Sequence, residues 1–281
     1  MKRELVMRFP EGVSKALTMS YDDGVEQDIR LVEIFDKHGL KGTFNLNSGS
    51  FAPEGKVYPE GTIHRRMSKN ACVELFKNSP HEVAVHAYTH PYLERLSPAQ
   101  VAYEIIKDRE TLEDTFGYIV RGMAYPYGTY SDDVVRVLED CGIVYSRTTK
   151  QTEKFDIPTD WLRMPATCHH KHPRLMELAE KFVSDKKMGK PQLFYVWGHS
   201  YEFEQHNNWE VIENFAEYVG GKDDIWYATN IDIYEYIQDF GRLVFSADMR
   251  KVKNPTARTL WFQLNKTEFS IAPGETLIIE E

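Results

Sequence analysis

At 281 residues, with 42% hydrophobic and 13% aromatic side chains, the chain is long enough to bury a sizeable core as one large α/β domain, or one domain with an appendage. Its 34 Lys and Arg stand against 43 Asp and Glu, a formal net charge of -9. That balance argues against nucleic acid or an anionic membrane as the main partner and leaves a neutral substrate, such as an acylated sugar, open. No stretch approaches the roughly 18 consecutive apolar residues of a membrane span, and Met1–Arg8 lacks the apolar run of a signal peptide. Cys72, Cys141 and Cys168 are odd in number and far apart, as free thiols of a reducing compartment are. The expectation is a cytoplasmic protein.

Strand and helix signals alternate from the start. Ala16–Tyr21 is an apolar, β-favouring run that ends in Asp22-Asp23-Gly24. Ile29, Val32, Ile34 and Phe35 give a helical face stopped by Gly39, and Thr43–Asn47 reads as a second strand. After a Gly/Pro-punctuated loop through Gly61, Ser68 caps a helix, and Glu82–His86 alternates as a third strand. Ser97-Pro98-Ala99-Gln100 is a helix start with an N-cap, a proline at the first helical position and a box glutamine, and the helix runs to Gly117. Tyr118–Tyr125 is the expected fourth strand, followed by a helix from Ser131 to Gly142. Ile143-Val144-Tyr145 begins a fifth, and Trp161–Thr167 is a sixth, with a helix through Leu175, Leu178 and Phe182. Leu193–Trp197 is continuously apolar, as strands buried on both faces are. A helix around Val211 and Phe215, a strand from Ile225 to Thr229 and a helix from Ile231 to Phe240 complete the series.

Seven or eight βα units in a row predict a parallel sheet, most naturally closed into a barrel at this length. After Gly241 the pattern changes to short strands at Leu243–Phe245, Thr259–Leu264, Glu268–Ile271 and Thr276–Ile279. The expected division is a barrel over 1–241 and a small β appendage, 242–281, docked on it.

In a βα barrel the site lies at the C-terminal strand ends. There fall Asp22 and Asp23, His86 and His90, Tyr125-Pro126-Tyr127-Gly128, Arg147, His169 and His170, and His199. Adjacent carboxylates repel, so a cation or shared proton is expected between them. Two histidines four apart with a carboxylate nearby make the two-His, one-carboxylate set of an open catalytic metal site: Asp23, His86 and His90.

The motifs Thr18-Met19-Ser20-Tyr21-Asp22-Asp23-Gly24, His86-xxx-His90, Tyr125-Pro126-Tyr127-Gly128 and Trp197-Gly198-His199 occur in order. With them the chain, over about residues 16 to 240, resembles the polysaccharide deacetylases of carbohydrate esterase family 4, the NodB-homology fold. The resemblance implies a distorted (β/α)7-8 barrel, a zinc-like divalent metal, and hydrolysis of an acetyl group from a sugar. It makes Asp22 the general base, Asp23, His86 and His90 the metal ligands, His199 the general acid, and the Tyr127 N–H an oxyanion donor.

Two positions depart from the family. An arginine it often carries three residues before the tyrosine of its third motif is replaced by Ala124, and its Asp-Trp motif has only a loose counterpart in Asp160-Trp161. A base beside a metal needs a group to orient it and keep it ionised, which a guanidinium does through two directed hydrogen bonds. Arg147, at the end of the fifth strand, is the expected substitute, with Arg163 second. Cys168-His169-His170-Lys171-His172 is expected to line the substrate side, and Tyr201, Glu202 and Trp209 are candidate sugar contacts. An amide or ester hydrolase acting on a small non-glycan molecule stays open, as does a non-catalytic sugar-binding barrel.

Overall fold

The computed structural model describes residues 4–186 and 189–280. The first barrel strand, Lys15–Asp22, is buried along its whole length. It pairs in parallel with the second strand, Gly42–Leu46, on one side and the seventh, Gln192–Gly198, on the other. From the second strand the parallel sheet continues through the third (Glu82–Val85), fourth (Gly122–Ala124) and fifth (Tyr145–Gln151).

The sixth strand closes the ring. Its first part, Met164–Ala166, pairs with the fifth strand, and its second, Cys168–His169, pairs with the seventh. Thr167 bridges the two parts and donates its N–H to Tyr195 O at 2.8 Å. A short eighth strand, Ile225–Tyr227, lies beside Lys15–Leu17, leaving Met19–Asp22 to pair with the second strand. The first strand therefore changes neighbour partway along, which distorts the barrel.

The intervening helices begin where the capping signals place them. Ser97 and Gln100 form a complete capping box, Gly117 closes that helix at φ 81°, and Ser68 and Ser131 each accept from the third residue on. Each such cap stabilises its helix by about 1 kcal/mol.

The structure departs from the sequence reading where apolar patterning is weak. The fourth strand is Gly122–Ala124 alone, because Gly117 turns the chain and the Tyr118 side chain, not its backbone, reaches the third strand through Val83 N–H. The fifth strand runs on through the polar residues Ser146 to Gln151, so Arg147 lies inside it and not at its end. Thr148 and Thr149 are β-branched and suit a strand, but nothing apolar marks the stretch. Trp161–Arg163 is a 3-10 turn whose start is capped by the Asp160 side chain, so the sixth strand starts only at Met164. Thr229 is the N-cap of the last helix, Asn230–Gly241, in a capping box with Asp232, and not a strand residue.

The segment expected as an appendage forms most of two three-stranded antiparallel sheets. One consists of Val244–Phe245, Lys251–Lys253 and Thr276–Ile278. The other joins Leu260–Leu264 and Thr267–Ile271 to a strand from the opposite end of the chain, Leu5–Arg8. Phe262 packs in one cluster with Phe9, Ala16, Leu193, Ile233 and Tyr236, so this segment shares a core with the strand bases and the last helix. Tyr236 ties the two ends, its hydroxyl donating to Arg8 O at 2.7 Å and accepting the Trp261 N–H at 3.0 Å.

Truncating Phe262, which is fully buried, should therefore destabilise the whole molecule. Phe262→Ala is expected to cost about 3–5 kcal/mol in one cooperative urea transition. Two separate transitions would show that 242–281 folds on its own.

Candidate active site

Asp22 is the last residue of the first strand, and Asp23 breaks from it at φ 87°. Neighbours on a strand point to opposite faces, and this left-handed step turns both carboxylates to one side. A non-glycine residue there is strained and must be held. Arg66 holds it, donating to the Asp23 carbonyl through Nη1 and to Asp23 Oδ1 through Nη2 at 3.0 Å. Asp23 N–H also donates to Asn45 O at 3.0 Å. Gly24 follows at φ 63°, and a Cβ there would come within 2.9 Å of Leu46 Cδ2.

Asp22 is buried, 3% exposed, with charge on every side. Arg147 donates to its Oδ2 and Asn45 Nδ2 donates to its Oδ1 at 2.9 Å. His86 Nε2 and His199 Nε2 each stand 3.8 Å from Oδ2. Burial alone would raise the Asp22 carboxyl, but Arg147, His86 and His199 outweigh it and hold it below its ordinary value. The Arg147 guanidinium is itself 1% exposed and lies 4.4 Å from the Trp197 ring. Ala124 offers only a methyl group, and the arginine on Asp22 comes from the neighbouring strand, at the position paired with Ala124.

Donor atoms of Asp23, His86 and His90 all lie within 4.8 Å of one another. His86 Nδ1 sits 2.8 Å from the Ala124 carbonyl, which can only accept, so Nδ1 carries the proton and Nε2 is left with its lone pair free. Burial lowers both imidazoles, His90 to about 4, so both are neutral at pH 7, the form that binds a metal. Asp23 is held far below the usual carboxylate range: burial opposes this, but the His64 contact at 3.2 Å and the charge of Arg66 prevail. The three residues fit a divalent ion.

His199, directly after the seventh strand, faces Asp22 with Nε2 and Glu202 with Nδ1, at 3.8 and 3.7 Å. Burial would lower this imidazole, but Glu202, Asp22 and Asp23 raise it above its ordinary value. Tyr127, at φ 58°, lays its ring against His90, centroids 4.5 Å apart, and stacks on Tyr92 at 3.8 Å.

Other expected residues fall elsewhere. Arg163 pairs with Asp132 and Asp160 at the surface, and Trp161 packs on Tyr234. Trp209 has Arg30 over one ring at 4.4 Å and Phe203 beside it at 5.2 Å, so it packs. His169 and His170 turn to Glu202, while His172 turns to Glu153. The sequence reading misses Asn45, Asn47, His64 and Arg66. Two asparagines alternating at the end of a buried strand, and the basic run His64-Arg65-Arg66 in an acidic chain, are the clues it had.

The closed barrel thus gathers Asp22, Asp23, His86, His90, Arg147 and His199 on its C-terminal rim. Residues 10–146, close to half of the chain, match the family described as polysaccharide deacetylase. Over those residues the chain matches the deacetylases of carbohydrate esterase family 4, and its fold is a barrel of the NodB type. It is 29% identical over 134 residues to a chitin deacetylase of Arthroderma benhamiae, covering 46% of this chain and 32% of that protein. To the peptidoglycan-N-acetylglucosamine deacetylase PgdA of Listeria monocytogenes it is 23% identical over 142 residues, or 50% and 27% of the two chains. The match therefore spans about a third or less of these two relatives. In fold it is similar to a Mycobacterium smegmatis chain assigned to the polysaccharide deacetylases, with a TM-score of 0.60 at 15% identity over 84% of this chain and 94% of that one.

Removing the guanidinium would leave Asp22 a buried, poorly compensated anion. Arg147→Met should cost about 3–5 kcal/mol at pH 7. Because the wild-type Asp22 is depressed, its contribution is present above the unfolded carboxylate value and fades as pH falls through the folded one. The variant should therefore lie furthest below wild type near neutrality and approach it in acid, as urea denaturation between about pH 3.5 and 7 would measure. A gap independent of pH would mean that Arg147 acts by packing alone.

Proposed function

We propose that this chain is a metal-dependent hydrolase that removes an acetyl group from an N- or O-acetylated sugar. The observation that carries the reading is the Asp22 carboxylate: buried, ionised, fixed by Arg147 and Asn45, and beside Asp23, His86 and His90 on one side and His199 on the other. Asp23, His86 and His90 would hold the ion, zinc by preference for a nitrogen- and oxygen-donor site with open positions. When bound, such an ion polarises a carbonyl and acidifies water.

Asp22 takes the proton of the attacking water. Its depressed pKa keeps it ionised, and so able to accept a proton, at neutral pH. Arg147 and Asn45 fix which lone pair faces the water. The carbonyl oxygen, becoming an oxyanion, is met by the Tyr127 N–H, a contribution of about 10²–10³ for one well-placed donor. His199 gives its Nε2 proton to the leaving nitrogen or oxygen, and a positioned acid or base of this kind contributes about 10²–10⁴. Its raised pKa favours the protonated form that this step uses.

The similarity to deacetylases of chitin and peptidoglycan supports an acetylated carbohydrate as the substrate class. The three buried, unpaired cysteines support a cytoplasmic setting. Among the described residues no helix is long and apolar enough to cross a membrane.

Acetate release from acetylated mono- and oligosaccharides, set beside small acyl-amides and acyl-esters, tests the reading. Release only from non-glycan substrates would overturn the sugar assignment. His86→Ala is expected to lose most of its bound metal in elemental analysis. Asp22→Asn should keep its metal and lose about 10²–10⁴ in kcat. A metal-free Asp22→Asn that regains activity when metal is added would make Asp22 a ligand and not the base.

A further inference from the structure

The turn from His86 to His90 carries two of the three ligand residues on a strained backbone. Ala87 stands at φ 60° and His90 at φ 59°, left-handed conformations that cost energy for any residue but glycine. Such a turn persists only where its surroundings over-determine it. Asn47 grips it from one side, through the His86 and Ala87 carbonyls. Its N–H groups are held from the other.

The helix Pro98–Phe116 holds them. His86 N–H is shared between Leu46 O at 3.0 Å and Asp108 Oδ2 at 3.1 Å. Tyr88 N–H donates to the Glu104 carbonyl at 3.1 Å, and Thr89 N–H donates to Glu104 Oε2 at 2.7 Å. Thr89 Oγ1 adds a bond to Glu104 Oε1 at 2.8 Å. Asp108 Oδ1 accepts Ser48 N–H at 2.8 Å and the Ser48 hydroxyl at 2.6 Å, so it ties the end of the second strand to the end of the third. The two turns touch there. Gly49 N–H donates to Tyr88 O at 2.9 Å, and a Cβ at Gly49 would come within 2.5 Å of that oxygen.

Glu104 and Asp108 are four residues apart and share one face of their helix. Both are buried, 9% and 0% exposed. Like charges at this spacing destabilise a helix, and away from water they are costly unless a cation lies near. The turn they hold is the one that would bring such a cation. His86 has a further support in the Ala124 carbonyl at Nδ1, and Asp23 is gripped by Arg66. His90 is placed by the turn itself, with the Tyr127 ring against it.

We propose that Glu104 and Asp108 are positioning residues for the metal site: from behind, they lock residues 86–90 in the path that turns both imidazoles towards Asp23, and so set the affinity for the ion. This rests on the reading of His86 and His90 as ligands. Both carboxylates act through the backbone, and neither is a ligand.

The test is the zinc affinity of the full chain, read by competition with a chromophoric chelator, beside urea denaturation of the metal-free protein. Glu104→Gln and Asp108→Asn each keep one acceptor oxygen and turn an amide donor against a donor. Each should weaken zinc by about 10–100-fold, as loss of a partner behind a metal ligand does. Thr89→Val, which removes one donor to Glu104 at an exposed position, should weaken it less. Phe262→Ala, among the strand bases, lowers stability and should leave zinc affinity at the wild-type level. Wild-type affinity in both carboxylate variants overturns the proposal. So does an equal loss in Phe262→Ala, which would make affinity a measure of stability alone. If the carboxylate variants do not fold, Thr89→Val decides. Wild type that binds no zinc would defeat the metal reading, and amide hydrogen exchange would then decide the clamp. Faster exchange at Thr89 in Glu104→Gln and at His86 in Asp108→Asn supports it, and unchanged exchange overturns it.

Discussion

The contact on which most of the site depends is the one between Arg147 and Asp22. A carboxylate that is 3% exposed would protonate or leave the barrel if nothing offset its desolvation. A point charge would offset it without fixing it. A guanidinium backed by Trp197 does both, because its planar fork donates in fixed directions and is always charged. The ring of strands is what brings the two together. Asp22 ends the first strand, and Arg147 reaches it from the fifth, across the barrel interior, which requires a closed and well-packed ring.

The second constraint is the turn at Asp23. Turning two adjacent carboxylates into one site gains proximity at the cost of a left-handed residue that is not glycine. Arg66 meets that cost from a loop far along the chain, gripping both the carbonyl and the carboxylate of Asp23. Asn47 accepts from the same Arg66 and donates to the carbonyls of His86 and Ala87, so one asparagine links the aspartate turn to the first histidine ligand. The ligand set is held as a unit and not residue by residue.

Much of this was legible in the sequence for a definable reason. Strand ends in a βα barrel coincide with the switch from apolar runs to loop residues, so Asp22, Asp23, His86, His90 and His199 stand out by position. Arg147 could be selected from the order of strands even though the strand around it is longer than its apolar part suggests. Contacts made by loops were not legible. His64 and Arg66 sit in an irregular segment whose path no periodicity encodes, and Leu5–Arg8 pairs with residues more than two hundred positions away. Glu202 was visible as a charged residue near a helix start, but the gathering of Lys171, His169, His170 and His199 around it was not.

The proposed acid and base share one small site, where such a pair must be driven apart in pKa, and here the fold does so with partners of opposite sign. Asp22 is drawn down by a buried arginine and stays ionised. His199 is drawn up by carboxylates on both of its nitrogens and favours the protonated form. The two stand 3.8 Å apart, so each is also part of the other's environment: the ionised base helps keep the acid protonated, and the protonated acid helps keep the base ionised. Such a pair is self-consistent only while water is scarce and the outer partners hold. That makes Arg147, which donates to Asp22 from behind the pair, as decisive for its protonation state as the pair itself.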